Sequence, residues 1–101
     1  MRGKDRAELR AEAHHLRATV HVGHHGITDT LLQSLDEALA ARELVKVQVE
    51  RNAPLSVKET AGALAEQVEA EVIQVIGRKT TLYRHNPELH KKPDSPLPWR
   101  Q

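Results

Sequence analysis

Two glycines flank two histidines in the segment Val20–Thr28, which joins an apolar stretch to a helix-like pattern. Gly23 and Gly26 have no Cβ and can adopt a positive φ, so they can bring backbone amides close to a ligand. His24 and His25 would project between them. A helix that begins directly afterwards adds the positive end of its dipole, which suits phosphate. The pattern predicts an anion-binding loop, although a tight strand-to-helix connection without a ligand has the same short motif.

Histidines in such a loop can donate hydrogen bonds, stack on a base or gain charge near neutral pH. A zinc site built from the five histidines between residues 14 and 25 is the alternative. They are His14, His15, His21, His24 and His25. Adjacent histidines on a loop seldom converge on one ion, and no His-Glu-x-x-His motif accompanies them. No nucleophile, base and orienting group recur at a recognisable spacing, so the sequence predicts neither a metal or cofactor site nor an enzyme.

The net charge of +1 does not by itself indicate a nucleic-acid partner, but the charges are segregated. Between positions 78 and 92 the sequence has five basic residues and one acidic residue, Glu88. We predict a basic surface that continues from the loop, the alternative being ordinary solvated charge. The predicted contact residues are Gly23, His24, His25, Gly26, Thr28, Lys46, Arg78, Lys79 and Arg84.

The composition indicates one domain with an aliphatic core. The chain has 101 residues, one Trp, one Tyr and no Phe. The absence of cysteine excludes disulfides, thiolate metal sites and a cysteine nucleophile. No apolar run is long enough to span a bilayer, and no signal-peptide pattern follows the charged N-terminus. We therefore expect a cytoplasmic protein without a membrane partner.

Hydrophobic periodicity predicts three helices and four strands. The helices run from Lys4 to about Ala18, from the N-cap Thr28 to about Arg42, and onward from the capping box Ser56–Glu59. The strands are Thr19–Val22, Leu44–Glu50, Val72–Ile76 and Thr80–Tyr83, the last two joined by a hairpin at Gly77–Lys79. The order α-β-α-β-α-β-β predicts a single α/β domain with a four-stranded mixed sheet and three helices.

The last part of the chain has a different composition. Residues 85–101 contain four prolines and few apolar residues, which predicts a flexible tail after a domain of residues 1–84. Trp99 is accordingly predicted to be mobile, with stacking or docking as the alternative. Tyr83 is predicted to lie in the core rather than to stack on a base.

Four groups of residues occur in one order between about Leu9 and Arg84. They are Val20–Gly23 with Gly26–Thr28, Ala38–Leu39 with Glu43–Val47, Val72–Arg78, and Leu82–Arg84. In this order they resemble the CRM domain family, and most closely its free-standing bacterial YhbY-type members. The sequence departs from that family's pattern at His24 and His25, where Lys, Asn or Ser is common, and at Thr80 and Thr81, which replace more apolar residues.

The resemblance implies an RNA-binding domain with a Gly-x-x-Gly loop similar to that of KH domains. It implies a fold like that of the C-terminal domain of bacterial translation initiation factor three. Free-standing bacterial members are associated with precursors of the large ribosomal subunit, and plant members with group II intron splicing. The expected partner is therefore large-subunit ribosomal RNA or its precursor, bound by a monomer without a small-molecule substrate.

A protein-interaction module on the ribosome is the competing hypothesis. The predicted third helix and the residues just after it carry four glutamates and no Lys or Arg between Glu59 and Glu71. Such a segment could dock a basic partner without any contact to RNA.

Overall fold

A computed structural model describes residues 3–91 and 97–100. Its helices are α1 (Gly3–Ala13), α2 (Asp29–Arg42) and α3 (Val57–Val68). Its strands are β1 (Ala18–Val22), β2 (Leu44–Val49), β3 (Glu71–Ile76) and β4 (Lys79–Tyr83). Short 3-10 turns follow at Pro87–His90 and Pro98–Arg100. The predicted order of helices and strands is confirmed, and so is the mixed four-stranded sheet.

The sheet has the order β1-β2-β4-β3. β1 and β2 are parallel because α2 carries the chain back across the sheet between them, while β4 is antiparallel to both of its neighbours. The loop after β1, the end of β2 and the turn before β4 therefore lie at one end of the sheet, called here the loop end. The end of β4 and the start of β2 lie at the opposite end.

One face of the sheet is covered by α2 and α3. Alternation along β2 places Val45, Val47 and Val49 on this face, as predicted from the sequence. They pack against the buried residues of the two helices, including Leu35, Leu39 and Leu64. The complete buried cluster comprises Val20, Val22, Leu35, Leu39, Val45, Val47, Val49, Leu64, Ala65, Val68 and Leu82. This aliphatic core fixes the register of the strands, since a slip of one residue would expose the valines.

The opposite face is covered by α1 at the end away from the loop. There Leu9 of α1 packs with Leu44 and Ile73, and Tyr83 and Trp99 pack against this smaller cluster. The rings of Tyr83 and Trp99 meet edge to face, with centroids 6.4 Å apart. Burial raises the pKa of Tyr83, and nearby carboxylates raise it further. Tyr83 and Trp99 are therefore both half-buried against this cluster.

The helix boundaries follow from local hydrogen bonds. The side chain of Thr28 caps α2, and Ser56 and Glu59 form the capping box of α3, as predicted. α1 ends at residue 13 instead of near Ala18, because the N–H groups of residues 14–16 bond three residues back and Ala18 joins β1. No helix within residues 3–91 and 97–100 has both the length and the apolar composition needed to cross a membrane.

The segment after β4, which the sequence predicts to be part of a flexible tail from residue 85, forms hydrogen bonds to the end of α2. The Asn86 side chain donates to the Ala40 carbonyl at 2.7 Å, and the Asn86 backbone N–H donates to Glu43 Oε2 at 2.6 Å. Residues 92–96 and 101, which the prediction also covers, lie outside the described residues. The hydrogen bonds hold this segment beside the end of α2.

Candidate nucleic-acid interface

The Gly23–Gly26 segment forms a tight turn directly after β1. The N–H of Gly26 donates to the Gly23 carbonyl at 2.9 Å, so the two histidines occupy the central positions of a four-residue turn. His24 and His25 are both exposed, and their ring centroids lie 3.9 Å apart. Two adjacent imidazoles are therefore presented to solvent at the loop end.

The two glycines have different structural requirements. Gly26 has a φ of +67°, and a Cβ there would lie 2.8 Å from Cγ of Pro54. Gly23 does not have a positive φ, and a Cβ there would meet nothing within 4 Å. The fold therefore requires glycine at position 26, whereas the space beside Gly23 is open to a ligand.

Thr28 connects the turn to α2. Its Oγ1 accepts a hydrogen bond from the Leu31 N–H at 3.1 Å, and its carbonyl accepts from Leu32. Asp29 follows in the first turn of the helix, where its charge complements the helix dipole. The structure thus gives Thr28 a capping role and places it next to the turn, beside one negative charge.

Backbone hydrogen bonds hold the other loop-end segments together. The Glu50 N–H donates to the Val22 carbonyl, and the Val49 N–H donates to the Arg78 carbonyl, each at 2.8 Å. The Arg78 side chain in turn donates to the Glu50 carbonyl at 3.3 Å. The turn between β3 and β4 is therefore fixed at the same end of the sheet as the Gly23–Gly26 loop.

The sheet register forms a polar row next to the loop. His21, Gln48 and Lys79 pair across β1, β2 and β4, and directly paired residues point to the same face of a sheet. Lys46 lies two residues before Gln48, on the same face. His21 and Lys79 are exposed and Gln48 and Lys46 are half-buried, and we call this part of the sheet the open sheet face.

The open sheet face carries two lysines, Lys46 and Lys79, and neither is paired with a carboxylate among the described residues. Burial lowers the pKa of Lys46, and the positive charge of Lys79 lowers it further. None of the ion pairs formed by residues 3–91 and 97–100 includes either lysine. The face is not uniformly basic, because Glu50 lies 3.5 Å from His21 Nδ1 and accepts from Gln48. The unbalanced positive charge is therefore concentrated at Lys46 and Lys79.

Comparison with known proteins places this architecture in a family. The sequence pattern of the CRS1 / YhbY (CRM) domain matches residues 1–84. The chain belongs to the CRM domain family. The resemblance stated from the sequence is thereby confirmed.

Related proteins are similar to this CRM domain over most of its length. YqeI of Bacillus subtilis, named a probable RNA-binding protein, is 37% identical over 86 residues, which cover 85% of this chain and 90% of YqeI. An RNA-binding protein of Haemophilus influenzae is 32% identical over 85 residues, covering 84% and 86% of the two chains. The solution structure of SAV1595 of Staphylococcus aureus, proposed to bind RNA, is 33% identical with a TM-score of 0.75, covering 97% of this chain and 99% of that one.

Arg84 of this CRM domain lies at the end of the sheet opposite the loop. Its guanidinium donates to Asp36 Oδ1 at 2.6 Å and to the carbonyls of Asp36 and Val68, each at 3.0 Å. It therefore ties α2 to the C-terminal end of α3. The structure brings the other predicted contact residues to the loop end or the open sheet face, but it does not bring Arg84 there.

We expect Arg84→Met to lower the free energy of unfolding by about 1–2 kcal/mol, because three hydrogen bonds to a charged donor are lost. Urea unfolding at 25 °C measures the change. Arg84→Lys keeps the charge but not the planar fork, so it should also destabilise the protein. A loss of RNA affinity in Arg84→Met with unchanged stability would instead support the RNA contact predicted from the sequence.

Sequence reasoning did not identify three contributors to this end of the molecule. Pro54 packs against Gly26, while His21 and Gln48 complete the polar row beside Lys79. The alternation of β2 already placed Gln48 on the face of Lys46. The pairing with His21 and the contact with Pro54 depend on tertiary structure.

Proposed function

We propose that this CRM domain binds structured RNA through the Gly23–Gly26 loop and the open sheet face. The observation that carries the proposal is the pair Lys46 and Lys79, two like charges on the open sheet face, neither of which forms an ion pair in the described part of the chain. A polyanion relieves this repulsion when it binds. The names of the relatives, which describe RNA binding and no reaction, also support it.

The two parts of the surface would contact RNA differently. Backbone amides at the loop and the lysines bind phosphates, which positions an RNA without reading its sequence. The exposed imidazoles of His24 and His25 can stack on an unpaired base or donate to a phosphate. The protein would act by binding alone, holding one RNA conformation or blocking a premature contact.

RNA affinity should depend strongly on salt. Lys46, Arg78 and Lys79 together neutralise about three phosphates, so log K should fall against log salt with a slope of roughly −2 to −3. Lys79→Gln should make the slope shallower by about 0.7–0.9, since one phosphate contact is lost. Fluorescence anisotropy on a structured ribosomal RNA fragment at several salt concentrations measures both values. A flat response in the native protein would contradict the proposed surface.

We further propose that the target is large-subunit ribosomal RNA or its precursor, bound in the cytoplasm during assembly. Cell lysate containing the tagged protein is separated on a sucrose gradient. The native protein should travel with large-subunit precursors, and a Lys46→Gln, Lys79→Gln double variant should stay at the top. An Arg42→Gln, Lys91→Gln double variant removes the same charge from the opposite end and should behave like the native protein.

The gradient tests both the ribosomal target and the surface that binds it. If the native protein stays at the top, the ribosomal target is wrong even where RNA binding is measured in solution. If the Lys46→Gln, Lys79→Gln variant still travels with precursors, docking through the exposed Glu66 and Glu69 at the end of α3 becomes the better explanation.

A further inference from the structure

Away from the loop end, one buried carboxylate is surrounded by two imidazoles. The Glu43 side chain is fully buried, while those of His85 and His90 are 56% and 40% exposed. His90 Nε2 lies 2.9 Å from both carboxylate oxygens, and His85 Nδ1 lies 3.2 Å from Oε2. Three or more His, Cys, Asp or Glu side chains can bind one metal ion if their ligand atoms lie close together. Within residues 3–91 and 97–100, this is the single group of that kind whose ligand atoms all lie within 4.8 Å of one another.

The spacing of these atoms fits one small cation. Zinc binds imidazole nitrogen and carboxylate oxygen at about 2.0–2.2 Å in tetrahedral geometry, which places two ligand atoms about 3.3 Å apart. The separations at Glu43, 2.9 and 3.2 Å, are close to that value. Imidazole suits zinc, and a ligand set of two histidines and one glutamate is typical of zinc sites with an open fourth position. The exposed sides of both rings leave that position to water.

Surrounding groups hold the carboxylate in place. The Asn86 N–H donates to Glu43 Oε2 at 2.6 Å, which is the kind of second contact that orients a metal ligand. Glu43 adopts a φ of 65°, a conformation that is rare for a residue with a side chain. Its N–H donates to the Leu39 carbonyl and its carbonyl accepts from the Arg84 N–H. The main chain around this glutamate is therefore fixed on both sides.

We propose that Glu43, His85 and His90 bind one zinc ion, with water as the fourth ligand. The ion joins the segment after β4 to the end of α2. The site is distinct from the five histidines between residues 14 and 25, and the sequence predicted no metal site. The competing explanation is an anchor without metal, in which imidazole N–H groups donate to the carboxylate.

Titration with zinc distinguishes these two explanations. The full-length protein is freed of metal by dialysis against a chelator and then titrated with ZnCl2 in a calorimeter. We expect one ion per chain and a higher melting temperature with zinc, because an ion that binds only the folded state stabilises it. His85→Gln and His90→Gln should each weaken zinc binding at least about tenfold, since each leaves two protein ligands. Glu43 is left unchanged, because the fold needs its buried carboxylate.

A matched control uses the other adjacent histidines. A His24→Gln, His25→Gln double variant removes two exposed imidazoles outside the site and should keep the full zinc affinity. Nitrogen NMR of the native protein should show zinc-dependent shifts at His85 Nδ1 and His90 Nε2. The proposal is overturned if zinc leaves the melting temperature unchanged, or if zinc binding survives both His85→Gln and His90→Gln. The first of these results would leave the hydrogen-bonded anchor.

Discussion

Gly23→Asp should lower RNA affinity at least tenfold, about 1.4 kcal/mol, without a measurable change in stability. A side chain at this position enters open space, and the backbone there has no positive φ, so the fold should accept it. The added carboxylate would stand where the proposed phosphate contact lies and would repel it. Anisotropy on a structured ribosomal RNA fragment measures the affinity, and thermal unfolding measures the stability.

A neutral substitution of the same shape separates charge from bulk. Gly23→Asn has almost the volume of Gly23→Asp but carries no charge, so its loss of affinity should be clearly smaller, and raising the salt concentration should narrow the difference. Equal losses in the two variants would mean that the loop excludes any side chain for steric reasons. Unchanged affinity in Gly23→Asp would remove the loop from the RNA contact and leave the lysines of the open sheet face.

The elements of this fold could be predicted because their causes are local. The alternating valines of β2 predict a strand with one buried face. In the structure these valines lie in the main hydrophobic core. Ser56 and Glu59 bond to each other's backbone within one turn, so the start of α3 is encoded in four residues. Thr28 likewise caps α2 through an N–H three residues away.

The parts of the candidate site that could not be predicted depend on residues far apart in sequence. The different requirements of Gly23 and Gly26 arise partly from Pro54, a residue outside the loop whose contact with Gly26 the loop sequence does not indicate. Arg84 belongs to a basic stretch in sequence, yet its partner Asp36 lies 48 residues earlier. Charge patterns predict where cations are frequent, but the fold decides which of them are already paired.

Contacts between residues far apart in sequence also determine how the segment after β4 is held. Its prolines and low apolar content predicted a flexible tail, because a segment that buries little surface does not compensate the entropy of ordering. In the structure, Asn86 and His90 bond to groups at the end of α2, including the buried Glu43. A few polar contacts to a buried carboxylate hold this segment, and composition contains no information about them.

Gly26→Ala should lower the free energy of unfolding by about 1–3 kcal/mol, the range for a non-glycine residue forced into a left-handed conformation. Two causes add at this position. The φ of +67° disfavours any Cβ, and that Cβ would lie 2.8 Å from Cγ and 3.3 Å from Cδ of Pro54. A proline ring cannot rotate away as a long side chain can, so the loop between β2 and α3 must shift. Urea unfolding of the variant and of the native protein measures the loss.

A double-mutant cycle with Pro54→Ala separates the two causes. In the Pro54→Ala background the contact is removed, so Gly26→Ala should cost about 1 kcal/mol, the conformational part alone. Gly23→Ala is the matched control and should change stability by less than about 0.5 kcal/mol. If Gly26→Ala is as harmless as Gly23→Ala, the turn is not fixed by Pro54. If the cycle gives the expected values, a loss of RNA affinity in any Gly26 variant reflects a displaced loop. Gly23 is then the position at which the phosphate contact can be tested separately from folding.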